Sequence, residues 1–256
     1  MTTTRPPNRR GPPVVGGLTA RHAEPRRPRS TTPSHLGSSA AHSESVDANQ
    51  REFENPFGMD TACENCPELC GPRERVVHGY GDVGAEFLVV GESPTAAAEA
   101  NGIPFTGEGA GERMQAIFGE LGFVRSPPDA AEPDVQNVFF TNLTRCRHPD
   151  RDPTDREVET CEPFLNAEIR MINPQIIVPV GERALRALAI EYTTRRPDSF
   201  DVETEHATTI RGRGFELVPM VDPATMTDAQ ADAFLEHLRE SVLSRDYRQT
   251  KGRQSR

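Results

Sequence analysis

Four short apolar runs occur in the chain from residue 59 onward. Each is six or seven residues long and rich in β-branched or aromatic side chains. This pattern is typical of strands that are buried on both faces of a sheet. The predicted strands are residues 86–91, 137–143, 175–181 and 215–221.

Apolar residues recur at helical spacing between and after these runs. Two predicted helices begin with capping boxes, in which a threonine and a Glu or Gln three positions later satisfy free N–H groups. These are Thr154-Asp-Arg-Glu157 and Thr227-Asp-Ala-Gln230. A third helix ends at Gly122, a residue type favoured just after a helix. The predicted inward faces are Met114, Ile117, Phe118 and Leu121; Val158, Cys161, Leu165, Ile169 and Ile172; and Phe234, Leu235, Leu238 and Val242.

Strands that alternate with helices predict an α/β fold with a central, mostly parallel, four-stranded sheet covered on both sides. Ligands of such sheets bind at the carboxyl ends of the strands. The loops that follow Val90, Asn142, Val180 and Val221 are therefore the places to expect a functional site.

The first 55 residues differ in composition from the rest. Prolines recur there among Ser, Thr, Gly and Arg, and no apolar run is long enough to offset the chain entropy lost on folding. We therefore predict disordered tails over residues 1–55 and 247–256 and a folded domain over 59–246. The N-terminal arginines are either a solvated tail or a nucleic-acid contact, and Met59 is an alternative start.

The charge of the chain indicates the kind of environment it comes from but does not identify a binding partner. The net charge is −10, and Lys251 is the only lysine, a composition that suggests a halophilic source. In molar salt the Debye length is about 3 Å, so this charge does not exclude DNA. No secretory signal or membrane-length apolar run is present. We expect a soluble, cytoplasmic monomer.

Five cysteines offer a metal site. Cys63-x-x-Cys66 has metal-ligand spacing, and Cys146 and Cys161, fifteen positions apart, can complete a set of four thiolates. Spacing alone leaves zinc and an iron–sulfur cluster both open. Cys70 is either a substitute ligand or a bystander, and Cys161 is alternatively a core residue, since free cysteines are commonly buried.

Several segments occur in the order and spacing of the family 4 uracil-DNA glycosylases, and the resemblance covers about residues 60–245. The matching segments are Cys63-Glu-Asn-Cys66, Gly91-Glu-Ser-Pro94, Gly102-Ile-Pro-Phe-Thr-Gly107, residues 137–147 with Cys161, residues 176–181, and Ile210-Arg-Gly212. This resemblance implies a three-layer α/β/α sandwich. It also implies a 4Fe–4S cluster held by Cys63, Cys66, Cys146 and Cys161, with zinc as the alternative, and damaged DNA, single- or double-stranded, as the partner.

The residue chemistry fits that implication. An enzyme that removes a base flips the nucleotide into a pocket and recognises its edge there. The ring of Phe105 can stack on a base. The carboxamide of Asn142 can donate to uracil O4 and accept from N3–H, whereas cytosine presents the opposite pattern. Backbone amides near Gly91 and Ser93 are expected to complete the pocket. Taken alone, Phe105 would be a loop anchor and Asn142 a strand-end cap.

Two departures from the family pattern concern catalysis. The first motif continues as Thr95-Ala-Ala-Ala-Glu99 instead of glycine and an acidic run, which leaves Glu92 and Glu99 to position water or steady a cationic sugar. The last motif, His-Pro with an apolar wedge, is here Asp222-Pro223, and Met226 is either the wedge or a packing residue. Glu92 and Asp222 are the predicted catalytic positions.

Two function classes remain open. The first is a glycosylase that hydrolyses the N-glycosidic bond of uracil or a related deaminated base in DNA, weakened by Asp222. The alternative is a non-catalytic DNA- or nucleotide-binding relative that keeps the fold and the cluster. An unrelated dinucleotide-binding enzyme is less favoured, because residues 107–111 do not follow a strand directly, as that fingerprint requires.

Overall fold

The structure is a computed structural model that describes residues 57–247, apart from the side chain of Pro197. Of the predicted tails, residues 1–55 and 248–256 lie outside the described part. Tyr247 belongs to the folded part: its ring packs 5.5 Å from that of Phe87, and its hydroxyl donates to Glu86 Oε2 at 2.7 Å. Tyr247, which the sequence analysis assigned to the C-terminal tail, therefore packs against β2.

The described residues form one six-stranded sheet in the order β1-β3-β2-β4-β6-β5. The four inner strands are parallel, as predicted, and short antiparallel strands form both edges. The bounds are β1 (Tyr80–Gly81), β2 (Phe87–Gly91), β3 (Val138–Asn142), β4 (Ile176–Pro179), β5 (Ile210–Arg211) and β6 (Glu216–Leu217). Beyond β6 the chain stays beside β4, because Val218 N donates to Ile177 O and Met220 N to Pro179 O, both at 2.9 Å.

Helices connect the strands and follow the last one. They are α1 (Pro67–Cys70), α2 (Ala96–Asn101), α3 (Ala110–Glu120), α4 (Asp155–Ile172), α5 (Glu182–Tyr192), α6 (Val202–Glu205) and α7 (Asp228–His237), with a 3₁₀ turn at Pro197–Ser199 and a π-helical turn at Leu238–Leu243. Both predicted capping boxes are present, since Thr154 and Thr227 accept from the N–H groups of Glu157 and Gln230.

Two helices cover each face of the sheet. Phe87 and Val89 of β2 pack with α3 and α7 in one apolar cluster. Leu88 and Val90, the alternate residues, pack with α4 and α5 in a second cluster. This alternation confirms the three-layer sandwich. Because the four inner strands are parallel, their carboxyl ends lie at one edge of the sheet. Among residues 57–247, no helix is long and apolar enough to span a membrane.

Candidate functional site

Gly91, Phe105 and Asn142 come together where β2 and β3 end. Gly91 and Asn142 are register partners on the two strands. A Cβ built on Gly91 would lie 2.5 Å from Asn142 Oδ1 and 2.7 Å from Phe105 Cζ. Any side chain at position 91 would therefore collide with both residues. The glycine leaves the ring and the carboxamide side by side at this edge of the sheet.

The Phe105 loop is held from the α3 side. Phe105 has a positive φ of 54°, a conformation that is uncommon for a residue with a side chain. Its carbonyl oxygen accepts a hydrogen bond from Nε2 of the buried Gln115 at 2.8 Å, and its ring lies 5.8 Å from that of Phe140. The half-buried ring is thus held in a fixed position.

Asn142 has a buried amide group without a partner. Its side chain is 2% exposed, and no hydrogen bond to Nδ2 is found within residues 57–247. Buried polar atoms are nearly always paired, so each exception calls for an explanation. A free donor beside the Phe105 ring matches the predicted role, because uracil O4 needs a donor from this residue.

The next two residues of the β2 loop lead away from the strand. The backbone oxygen of Glu92 accepts from Thr144 N at 3.1 Å, which ties this loop to the end of β3. Ser93 is half-buried in the turn before α2. Thr95 caps α2 by accepting from Ala98 N at 3.1 Å.

The Glu92 carboxylate lies beside an arginine that the sequence analysis did not single out. Arg183 Nη1 is 3.5 Å from Glu92 Oε1, and Arg183 Nη2 is 2.6 Å from Asp155 Oδ1. Burial raises the pKa of Glu92; Arg183 opposes that shift, and Asp152 and Asp222 add to it. Glu92 and Asp222, the two predicted catalytic positions, are therefore close enough to influence each other electrostatically.

Asp222 belongs to a tight turn that its own side chain stabilises. Its Oδ1 accepts from Ala224 N at 2.8 Å, and its backbone oxygen accepts from Thr225 N and Met226 N at 3.0 and 2.9 Å. The side chain of Asp222 is exposed. Met226 is 3% exposed and packs in the core, so of its two predicted roles the structure has the packing role.

His206 lies beside this turn although it is distant in sequence. Its Nδ1 accepts from Val221 N at 3.1 Å, which leaves the proton on Nε2 to donate to the Gln230 carbonyl at 2.8 Å. Both ring nitrogens are thus engaged by backbone groups. His206 supports the Asp222 turn and offers no free donor to a ligand.

Glu99 is separate from the candidate pocket. It is 4% exposed, and its Oε1 accepts from Glu74 N at 3.0 Å. Arg147 Nη1 lies 3.9 Å from the other carboxylate oxygen. Glu99 therefore anchors the segment that precedes β1. Both carboxylate oxygens of Glu99 thus have partners within the protein, and its role in positioning water or steadying the sugar stays a prediction.

Four of the five cysteines line one cavity. These are Cys63, Cys66, Cys146 and Cys161. Cys70 instead directs its thiol to the Cys66 carbonyl oxygen at 3.3 Å. Within residues 57–247, no group of three or more His, Cys, Asp or Glu side chains is arranged to hold a metal ion.

Burial and a neighbouring arginine set the chemistry of these thiols. Burial raises the pKa of Cys146 to about 11, although Arg73 opposes this shift. Burial also raises the pKa of Cys66 and of Cys161. Arg73 Nη1 lies 3.3 Å from Cys146 Sγ, and its Nη2 donates to the Cys63 carbonyl at 2.5 Å. Four thiols with a cation at the rim fit a thiolate-bound group, since metal binding displaces thiol protons.

Comparison with known proteins shows which family this chain resembles. The family model of the uracil DNA glycosylase superfamily matches residues 78–242. A type-4 uracil-DNA glycosylase of Saccharolobus solfataricus is 35% identical over 124 residues, 48% of this chain and 52% of the relative. One of Archaeoglobus fulgidus is 29% identical over 157 residues, 61% of this chain and 69% of the relative.

A more extended match is to a type-5 uracil-DNA glycosylase of Mycobacterium tuberculosis. It is 28% identical over 218 residues, which cover 75% of this chain and 78% of the relative. The chain spans 52% and 63% of the lengths of its matches in Saccharolobus solfataricus and Pyrobaculum aerophilum.

Proposed function

The chain belongs to the uracil-DNA glycosylase superfamily, and we propose that it is a base-excision repair enzyme acting on DNA. It hydrolyses the N-glycosidic bond of uracil or of a related deaminated base, and it does so weakly at neutral pH because Asp222 stands where the family has histidine. The folded domain carries the activity as a monomer.

The observation that carries this proposal is the juxtaposition of Gly91, Phe105 and Asn142. A base flipped out of the DNA stacks on the Phe105 ring. Asn142 donates from its free Nδ2 to O4 and accepts from N3–H through Oδ1. The absence of a side chain at Gly91 lets the Phe105 ring and the Asn142 carboxamide lie close together, and backbone amides near Gly91 and Ser93 complete the pocket.

Bond cleavage places negative charge on the departing base and positive charge on the sugar. Glu92, at the end of β2, steadies the sugar or orients the attacking water. Arg183 holds the Glu92 side chain at the mouth of the site. Asp222 cannot supply the donor that a histidine offers to uracil O2, because a carboxylate only accepts. The site therefore binds and orients the base better than it stabilises its departure.

The four cysteines around one cavity are proposed to hold a 4Fe–4S cluster. Zinc needs all its ligand atoms within about 2.0–2.3 Å of one centre. No group of three such ligands is found within residues 57–247, whereas a four-iron cluster would be held by the four cysteines that line this cavity. When bound there, it would link the segment before α1 to the loop after β3 and to α4, and its contribution would be structural.

A second candidate function is favoured by the Asp222 turn. Asp222 Oδ1 is already engaged by Ala224 N, and His206 has both ring nitrogens occupied. A site with these groups can bind a base without cleaving the bond between the base and its sugar. In that case the protein is a non-catalytic DNA- or nucleotide-binding relative.

Incubation with oligonucleotides that contain one uracil, hypoxanthine or xanthine tests the proposal. Single- and double-stranded forms are compared at several salt concentrations, and abasic products are detected by alkaline strand scission. Asn142→Ala serves as the control, because it keeps the fold and removes the donor. Slow excision that Asn142→Ala abolishes supports the enzyme. Tight binding of damaged DNA without product supports the second candidate. If the protein shows no binding and forms no product, both candidate functions are rejected.

A further inference from the structure

A buried ion pair lies directly beneath the candidate pocket. Arg145 Nη2 is 2.7 Å from Glu168 Oε2, and each residue is 1% exposed. Neither residue has a part in the chemistry described above. Burying two charges is costly, and replacing such a pair by well-packed neutral residues is often neutral for stability. Stability alone therefore gives a weak account of why the pair is here.

The contacts of the pair converge on the end of β3. Arg145 Nη1 donates to the backbone oxygen of Asn142. Glu168 Oε2 also accepts from the hydroxyl of Thr141 at 2.6 Å. Glu168 thus holds the side chain of Thr141, and Arg145 holds the backbone carbonyl of Asn142. This arrangement restrains the backbone from which the base-reading carboxamide projects.

The same pair also reaches the cysteine cavity. Arg145 lines that cavity together with Cys146 and Cys161. Glu168 lies two helical turns after Cys161 on α4. Its Oε1 accepts from Gly79 N at 3.3 Å, where a Cβ on Gly79 would come within 2.6 Å of it. The ion pair therefore connects the cysteine cavity, α4 and the end of β3.

We propose that Arg145 and Glu168 are positioning residues that orient Asn142 for base recognition. A recognition group must be held within about 0.5 Å of its productive position by neighbours that are themselves fixed. The guanidinium fork bonds a carboxylate and a carbonyl at once, which a point charge on a lysine cannot do in the same geometry. This inference rests on the proposed function of Asn142.

The double variant Arg145→Met/Glu168→Gln tests the inference. It removes both charges together, keeps one acceptor for Gly79 N while the Thr141 hydroxyl can accept from the new amide group, and deletes the hydrogen bond to Asn142. We expect an unchanged iron content and a cooperative thermal transition. The preference for uracil- over thymine-containing oligonucleotides should fall about tenfold, the equivalent of one charge-assisted hydrogen bond. Crystals should show more than one orientation of the Asn142 side chain.

Two further variants keep the result decisive. Arg239→Met/Glu120→Gln removes an exposed ion pair, whose atoms are 3.1 Å apart. This control should change neither the preference for uracil nor the orientation of the Asn142 side chain. Should the double variant not fold, Arg145→Lys retains the charge and is expected to show the same loss of preference in milder form.

An unchanged binding preference and a single Asn142 orientation, in whichever of these Arg145 variants folds, would overturn the positioning role. If the wild type itself has no preference for uracil, the proposed function has failed, and the crystallographic comparison of Asn142 alone decides the positioning role.

Discussion

Gly91 and Asn142 are neighbours across β2 and β3, and the space between them has no room for even one methyl group. A Cβ at position 91 would lie 2.5 Å from Asn142 Oδ1. We therefore expect Gly91→Ala to displace Asn142 and Phe105 and to weaken binding of uracil-containing DNA at least about tenfold. Overpacking also lowers the free energy of unfolding by about 1–3 kcal/mol. Fluorescence anisotropy and thermal denaturation measure the two effects.

Gly119→Ala is the matched control for that change. Gly119 lies in α3, where the nearest atom to a new Cβ is 3.7 Å away. Alanine favours a helix interior over glycine by about 0.5–1 kcal/mol, so this variant should bind normally and be slightly more stable. Equal binding by Gly91→Ala and Gly119→Ala would mean that the pocket lies elsewhere.

Selectivity for the base edge depends on the donor of Asn142. Asn142→Asp replaces Nδ2 by an oxygen, and an ionised carboxylate accepts but cannot donate. We expect the preference for uracil over thymine in matched oligonucleotides to disappear while the fold is retained. Competition binding at neutral pH measures the ratio. A ratio that stays at the wild-type value would remove Asn142 from base recognition.

The four cavity cysteines are expected to hold iron. Anaerobically purified protein should be brown, with about four irons per chain and broad visible absorption. Cys63→Ala and Cys146→Ala should lose the colour and lower the melting temperature, whereas Cys70→Ala should retain both because its thiol contacts the Cys66 carbonyl. Metal analysis with stoichiometric zinc and negligible iron would contradict the cluster.

The sequence predicts well what depends on local pattern. Both capping boxes follow from the types of residue at Thr154 and Thr227, and the central strands follow from their apolar runs. The edge strands β1 and β5 were missed because two residues are too few to show a period. The contact of Arg183 with Glu92 and that of Arg145 with Glu168 were missed because no local motif announces a pair whose members lie on different elements.

The juxtaposition of the pocket residues was predictable for a related reason. Gly91 and Asn142 each end a parallel strand, and such ends meet at one edge of the sheet. Glu99 was given the same candidate role as Glu92 because the two carboxylates are close in sequence. In the structure, α2 carries Glu99 away to the segment before β1, where it accepts from Glu74 N.

The pH dependence of excision reports on Glu92. Burial raises its pKa, and Arg183 opposes that shift. If ionised Glu92 is required, excision falls as the pH drops through this pKa. Removing the cation in Arg183→Ala raises the pKa further, so the midpoint should move to higher pH, while Arg183→Lys should stay near the wild type. Single-turnover rates across the pH range provide the test, and an unmoved midpoint in Arg183→Ala would assign the titration to another group.

Asp222 decides between slow catalysis and none, and its replacement tests the account most directly. Removing one donor to the developing negative charge typically lowers a rate about 100- to 1,000-fold. We therefore expect Asp222→His to raise the single-turnover rate of uracil excision by a comparable factor over a slow wild type at neutral pH. Rapid wild-type excision at pH 8 that persists undiminished in Asp222→Ala would contradict the account, because another group would then perform the histidine's role.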